Sequence, residues 1–365
     1  APIGFDGEHY FLAGKPFDID HNPTYTGGVR RLACSIDCLP SLAIGGEDSP
    51  PMATRDLSRA VRLFFYKLFV GALPTDTGLR QADVVDGRVV YRPVSAADIS
   101  QTKRVALMLH GFTGDTTWMV EEVWSWARKQ GNYDLCLTFD YESFATPIKR
   151  NAELLANALY GVGFGPDNPV QLEVFAHSVG TQVARALVEL GDGDQFIDRV
   201  FMAGPPNAGT PLANGRTLLP WLANILVNLA GSVPPALVAH WLLERVSEKG
   251  HGLADLAPDS PFFEDINAGW RPPARVPYYI QIGDNSAAFA RWHALAQKVA
   301  QKVAGPLDAG LDLLFTGDND LLVGVNSARW LEGRWPRLTV QVISGHHFQY
   351  FLPPEGQRVL ARWLS

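Results

Sequence analysis

The sequence predicts an α/β fold built on a doubly wound, mostly parallel sheet. Three observations carry this. Apolar runs of strand length recur from the middle of the chain to its end, amphipathic stretches of helix length separate them, and glycine closes several runs directly. Strands apolar on both faces must be covered on both faces, and helical crossovers provide that cover while keeping neighbouring strands parallel.

Residues 1 to about 50 are rich in Gly, Pro, Asp and aromatics and lack periodicity, which reads as a loop-rich extension packed on the main body. DLSRAVRLFFYKLF, Asp56 to Phe69, has helical apolar spacing, and GRVVYRP, Gly87 to Pro93, reads as a short strand. The expected organisation is an N-terminal extension over 1–95 and one α/β domain over 96–365. In that domain the strands are RVALMLHG (104–111), DLCLTFDY (134–141), PVQLEVFAHS (169–178), RVFMAG (199–204), VPYYIQIG (276–283) and LTVQVIS (338–344). Helices are expected over 147–160 and 181–190. HALAQKVAQKV, His293 to Val303, reads as a surface helix without evident chemistry.

Between the fourth and fifth of these strands lie about seventy residues, far more than a strand-to-helix connection needs. They hold TLLPWLANILVNLAG and PALVAHWLLERV, two apolar helical segments separated by Gly231 and Pro234–Pro235. A helical insertion over about 210–272 follows, either a fixed cap or a mobile lid over an apolar site.

Composition narrows the function classes. A hydrophobic fraction of 47% with 19% charged residues is that of a folded globular protein. A net charge of −7 argues against nucleic acid as a partner, because phosphate backbones require clustered Lys and Arg. No run reaches the roughly 20 apolar residues of a membrane span. Leu218 to Leu229 comes closest, and it contains Asn224 and Asn228. The opening APIGFDGEHYFLAG lacks the basic start and apolar run of a signal peptide, which leans toward the cytoplasm. Of the three cysteines, Cys136 belongs to an apolar strand as a buried thiol. Cys34 and Cys38 form no zinc signature and are expected either as free thiols or as a bridge.

The chemistry centres on EVFAHSVGTQVARAL, residues 173–187. An apolar strand runs into Ala176-His177-Ser178-Val179-Gly180, and a helix begins at once. Small residues two before and two after a serine permit a sharp turn that exposes its Oγ above the sheet. The helix start beneath adds free N–H groups and a partial positive charge, suited to an oxyanion. The alternative, a serine capping a helix, accounts for the hydroxyl and leaves the flanking small residues unexplained. LHGFTGD, Leu109 to Asp115, ends the strand expected beside this turn. An oxyanion hole is therefore assigned to the N–H groups of Phe112 and Val179, with His110 ordering the loop by hydrogen bonds.

A serine nucleophile needs a base, and the base needs an orienting carboxylate. Asp318 and Asp320 in TGDNDLLVGVNSA both offer the acid, and His346 and His347 in SGHHFQYF, after the last strand, both offer the base. His240, His251 and His293 fall in or near expected helices, where a solvated or capping histidine is the ordinary outcome.

Together, AHSVG, LHGF, GPPNAGTPLA (204–213), NDLLV and HHFQYF resemble the bacterial lipase-like α/β-hydrolases related to triacylglycerol lipases. The resemblance spans roughly Val105 to the C-terminus. It implies the α/β-hydrolase fold and an acid in a D-G-x-V motif, which Asp320-Leu321-Leu322-Val323 matches except for Leu321; Asp318 stays open because of that departure. It also implies a histidine followed by aromatics, a frame that His347 fits better than His346, and it makes Gly209-Thr210-Pro211 the lead into the cap. The expected activity is hydrolysis of small-molecule or lipid carboxylic esters by Ser178, His347 and Asp320 through an acyl-enzyme, with no metal or organic cofactor. Thioesterase, amidase or peptidase action by the same groups, and a non-catalytic binding module, are the alternatives.

Overall fold

The computed structural model describes residues 77–112, 115–210, 213, 251–268, 275–284, 320, 323–344, 347, 350, 351 and 354–365, with the backbone of four short strands near the start. Those four form two antiparallel pairs, Ile3–Phe5 with Tyr10–Leu12 and Pro16–Asp18 with Leu32–Cys34. The helices expected at 56–69, inside the cap and at 293–303 lie outside the described residues.

Eight strands make the main sheet: β1 (Gly78–Val85), β2 (Arg88–Arg92), β3 (Arg104–Leu109), β4 (Leu135–Asp140), β5 (Gln171–His177), β6 (Arg199–Ala203), β7 (Tyr278–Asp284) and β8 (Leu338–Ser344). Their spatial order is β2-β1-β4-β3-β5-β6-β7-β8. From β4 through β8 all neighbours pair in parallel, whereas β1 runs antiparallel to both β4 and β2. Residues 78–92, read from sequence as part of the extension, thus contribute two strands to this sheet. GLRQADVV was not legible as a strand because only Ala82 in it is buried, so it has no apolar run.

The alternation of side chains along each central strand divides the core in two. On β3, Val105, Leu107 and Leu109 point to one face, while Ala106 and Met108 point to the other. The pattern repeats on β6, where Val200 and Met202 oppose Phe201 and Ala203. Full burial of each Val, Leu, Met or Phe among them stabilises the fold by roughly 1.5–3 kcal/mol. Helices cover both faces: α1 (Ser125–Gly131), α2 (Ile148–Gly161), α3 (Val179–Arg185), α4 (Pro261–Asn267) and α5 (Glu355–Leu364). In α2 the buried Ile148, Ala152, Leu155 and Leu159 follow the helical repeat and pack, with α3, on the Leu107 face. Ala127 of α1 and Val359 and Leu360 of α5 close the opposite face.

Two ends of the sheet differ in chemistry. At the amino ends of β3, β5 and β6 the buried Glu173 takes both guanidinium groups of Arg104 and Arg199, along with the Tyr133 hydroxyl. At the carboxyl ends the chain passes from β3 to β4 on one side and then returns to β5 on the other. That reversal makes the carboxyl ends of β3 and β5 a topological switch point, the place where doubly wound sheets hold their ligands.

Candidate active site

Ser178 stands at that switch point, on the turn from β5 into α3. Its backbone takes φ 53° and ψ −123°, a left-handed conformation that costs a non-glycine residue about 1–3 kcal/mol. The turn is held by Ser178 N–H donating to Ala203 O at 2.9 Å and by the Thr181 hydroxyl donating to Ser178 O at 2.6 Å. Between residues 172 and 188 Ser178 is the one residue that is not fully buried. The glycine two residues on is obligatory. A Cβ at Gly180 would lie 2.5 Å from His110 O and 2.6 Å from Leu109 O, so only a bare α-carbon lets α3 start this close to β3.

The loop after β3 backs onto the same point. A Cβ placed on Gly111 would stand 3.0 Å from Ser178 Cβ. His110 is engaged at both ring nitrogens: Tyr141 N–H donates to Nε2 at 3.2 Å, which leaves the proton on Nδ1 for Gly111 O at 2.7 Å. It orders the loop and stacks on Tyr141. Ser143 Oγ donates to Phe112 O at 2.7 Å, and Asp140 accepts from both the N–H and the hydroxyl of Thr116 at 2.8 Å, so the loop is fixed on either side of Phe112. Val179 occupies the first turn of α3, where a helix leaves N–H groups without intrahelical partners.

Of the acid and base candidates, the structure brings Asp320 and His347 together; Asp318 and His346 lie outside the described residues. His347 Nδ1 lies 2.7 Å from Asp320 Oδ2, and His347 N–H donates to Asp320 O at 2.9 Å. Both residues are 1% exposed, a burial that removes water from the pair. Burial alone would raise the Asp320 carboxyl, but the His347 ring, the Tyr350 hydroxyl and Val323 N–H outweigh it and hold the group below its ordinary value. With Nδ1 given to Asp320, the basic nitrogen of the imidazole is Nε2. His251, at the start of a short helix, is exposed, while His240 and His293 lie outside the described residues.

Three residues that sequence reasoning did not assign complete the arrangement. His177, directly before Ser178, donates from Nε2 to His347 O at 2.7 Å, and the two rings sit 4.8 Å apart. This bond ties the loop that carries His347 to the strand that ends at Ser178. Burial, then the adjacent His347, push His177 down to about 3, so it is a neutral donor. Tyr350 donates to Asp320 Oδ2 at 2.6 Å. Gly204, at the end of β6 with φ 56°, leaves the space where Tyr350, Asp320 and His347 meet. The signals available were its position after a strand and the aromatic run following His347.

Elsewhere, burial raises the Cys136 thiol well above its ordinary value, which leaves it inert. Among the described residues no helix is long and apolar enough to cross a membrane, and no three His, Cys, Asp or Glu side chains converge on a metal-sized space. An open groove of about 860 Å³ lies against Lys103, Asp167 and Gln171, at the amino ends of β3 and β5, away from Ser178.

The sheet order together with a left-handed serine between β5 and α3 defines an α/β-hydrolase fold. The chain belongs to the family described as Domain of unknown function (DUF7379), whose model matches residues 79–365. No curated protein matches it. Among solved structures it is similar to the mature form of the Bacillus licheniformis lipase BlEst2, at 18% identity over 80% of this chain and 100% of that one, with a TM-score of 0.48. It is also similar to phospholipase PlaB from Legionella pneumophila, at 15% identity over 62% of this chain and 45% of that one, TM-score 0.43. A third is the hydrolase olei00960 from Oleispira antarctica, at 16% identity over 72% of this chain and 90% of that one, TM-score 0.40.

Proposed function

We propose that this chain is a serine hydrolase that cleaves carboxylic esters through an acyl-enzyme, with Ser178 as nucleophile, His347 as general base and Asp320 as the carboxylate that orients it. The observation that carries the reading is the buried His347–Asp320 pair, 2.7 Å apart, in which the His347 carbonyl accepts from His177, the residue before a left-handed Ser178.

In the first step His347 Nε2 takes the Ser178 hydroxyl proton as Oγ attacks the ester carbonyl. Asp320 keeps the proton on Nδ1 and stabilises the imidazolium that forms. The amides of Phe112 and Val179 receive the developing oxyanion, and their fixed loop and helix start need no reorganisation at that moment. His347 then returns its proton to the leaving alcohol. Water, deprotonated by the same nitrogen, attacks the acyl group, and Ser178 leaves with the proton regained. The apolar stretches of the sequence between 217 and 246 favour acyl substrates over peptides.

The test is covalent labelling with a fluorophosphonate, followed by a panel of p-nitrophenyl esters of increasing chain length, acyl thioesters and peptide amides. Labelling of the wild type and none of Ser178→Ala is the expected result, with esters turned over fastest. An unlabelled wild type, or labelling that survives in Ser178→Ala, overturns the reading; faster thioester or amide turnover replaces the substrate class.

A further inference from the structure

Among the described residues three donors hold the Asp320 carboxylate, and two of them meet at one oxygen. Oδ1 accepts Val323 N–H at 2.7 Å. Oδ2 accepts from His347 Nδ1 at 2.7 Å and from the Tyr350 hydroxyl at 2.6 Å. The phenol oxygen is held from behind by Gly283 N–H at 2.6 Å, so its single proton is directed at the carboxylate. Tyr350, like its two partners, is 1% exposed, and no bulk water competes for these bonds. A carboxylate oxygen shared by two donors offers each of them less electron density than it would offer one alone.

We infer that Tyr350 is a positioning residue, resting on the hydrolase reading above: by sharing Asp320 Oδ2 with His347 it sets how strongly the carboxylate holds the imidazolium. It acts through Asp320 and touches no reacting atom. Loss of the hydroxyl concentrates charge on Oδ2, stabilises protonated His347, and moves the pH at which the base becomes available upward. A more acidic phenol donates more strongly and moves it downward. Among the described residues, the other titratable group packed against the pair is His177 from β5, and His110 from the end of β3 lies beyond it, close enough to act on His177. His177 is held neutral by burial, and His110 is fixed as a neutral ring by Tyr141 N–H at Nε2, so neither accounts for such a shift.

The experiment measures the rate of fluorophosphonate labelling of Ser178 between about pH 5 and pH 9. It compares the wild type, Tyr350→Phe, and protein carrying 3-fluorotyrosine at position 350. Tyr350→Phe is expected to raise the midpoint by roughly half to one pH unit and to lower the plateau about threefold to tenfold. The fluorinated protein, nearly unchanged in shape, is expected to lower the midpoint by a few tenths of a unit. A purely structural tyrosine lowers stability and plateau while both midpoints stay fixed, and that result overturns the inference. Should Tyr350→Phe fail to fold, the fluorinated protein decides alone. A wild type that labels at no pH overturns the hydrolase reading itself, a different outcome from labelling with unmoved midpoints.

Discussion

A single methyl group added at Gly204 tests how tightly the site is packed. Its Cβ would stand 2.5 Å from Tyr350 Cε2 and 3.0 Å from both Asp320 Oδ2 and His347 Nδ1. Unbonded carbons rest at about 3.5–4.0 Å, so the tyrosine ring must retreat by about 1 Å. It has little room to do so, since its hydroxyl is bonded on both sides. Overpacking of this kind costs about 1–3 kcal/mol. A left-handed backbone, here φ 56°, adds roughly 1–2 kcal/mol for any residue with a Cβ. Gly204→Ala should therefore lose about 2–5 kcal/mol, a large part of a stability that is typically about 5–15 kcal/mol. On the proposed mechanism, displacing Asp320 or His347 by about 1 Å should slow labelling of Ser178 by on the order of 100-fold. Gly333 is the control. Its φ is 72°, and an added Cβ there meets nothing within 4 Å, so Gly333→Ala isolates the backbone cost. Urea denaturation and labelling rates are measured on both variants at a temperature where each is folded. If Gly204→Ala loses no more stability than Gly333→Ala and labels at the wild-type rate, the packing argument fails.

Two further predictions concern Ser178 and the residue before it. Ser178→Gly removes the left-handed penalty, so it should be about 1 kcal/mol more stable than Ser178→Ala while equally inert to fluorophosphonate; equal melting temperatures for the two variants would contradict the strain. His177 is neutral and buried in the folded chain, at about 3 against an ordinary 6.5, so the unfolded chain binds the extra proton first as pH falls. Stability on this account is complete above about pH 6.5 and declines toward pH 3, by up to about 1.4 kcal/mol per pH unit. His177→Gln should flatten that decline between about pH 6.5 and pH 4.5 in urea titrations, and an unchanged slope would refute the assignment.

Most of the sheet was legible because its central strands are apolar on both faces. LTVQVIS matches β8 residue for residue, and RVALMLHG differs from β3 only by the turn residues that follow it. What escaped has physical reasons. β1 buries a single alanine and so carries no apolar run. The stretch Met119 to Gly131 did carry a signal, with Met119, Val120, Val123, Trp124 and Ala127 at helical spacing, which the strand-centred reading passed over. At the site, Ser178, Asp320 and His347 could be nominated because each belongs to a short motif with a required chain order. Tyr350 and His177 could not, since their partners are an oxygen 30 residues away and a carbonyl 170 residues away, pairings that only the folded chain creates.

The arginine–glutamate clasp at the amino ends of β3, β5 and β6 has a consequence for how such a scaffold diversifies. Glu173 knits three adjacent strands together at the pole opposite Ser178. Cohesion at that pole comes from groups on the strands themselves, which leaves the connections at the carboxyl ends freer to lengthen, shorten or change polarity. Innovation at one pole is insulated from collapse by ionic stitching at the other.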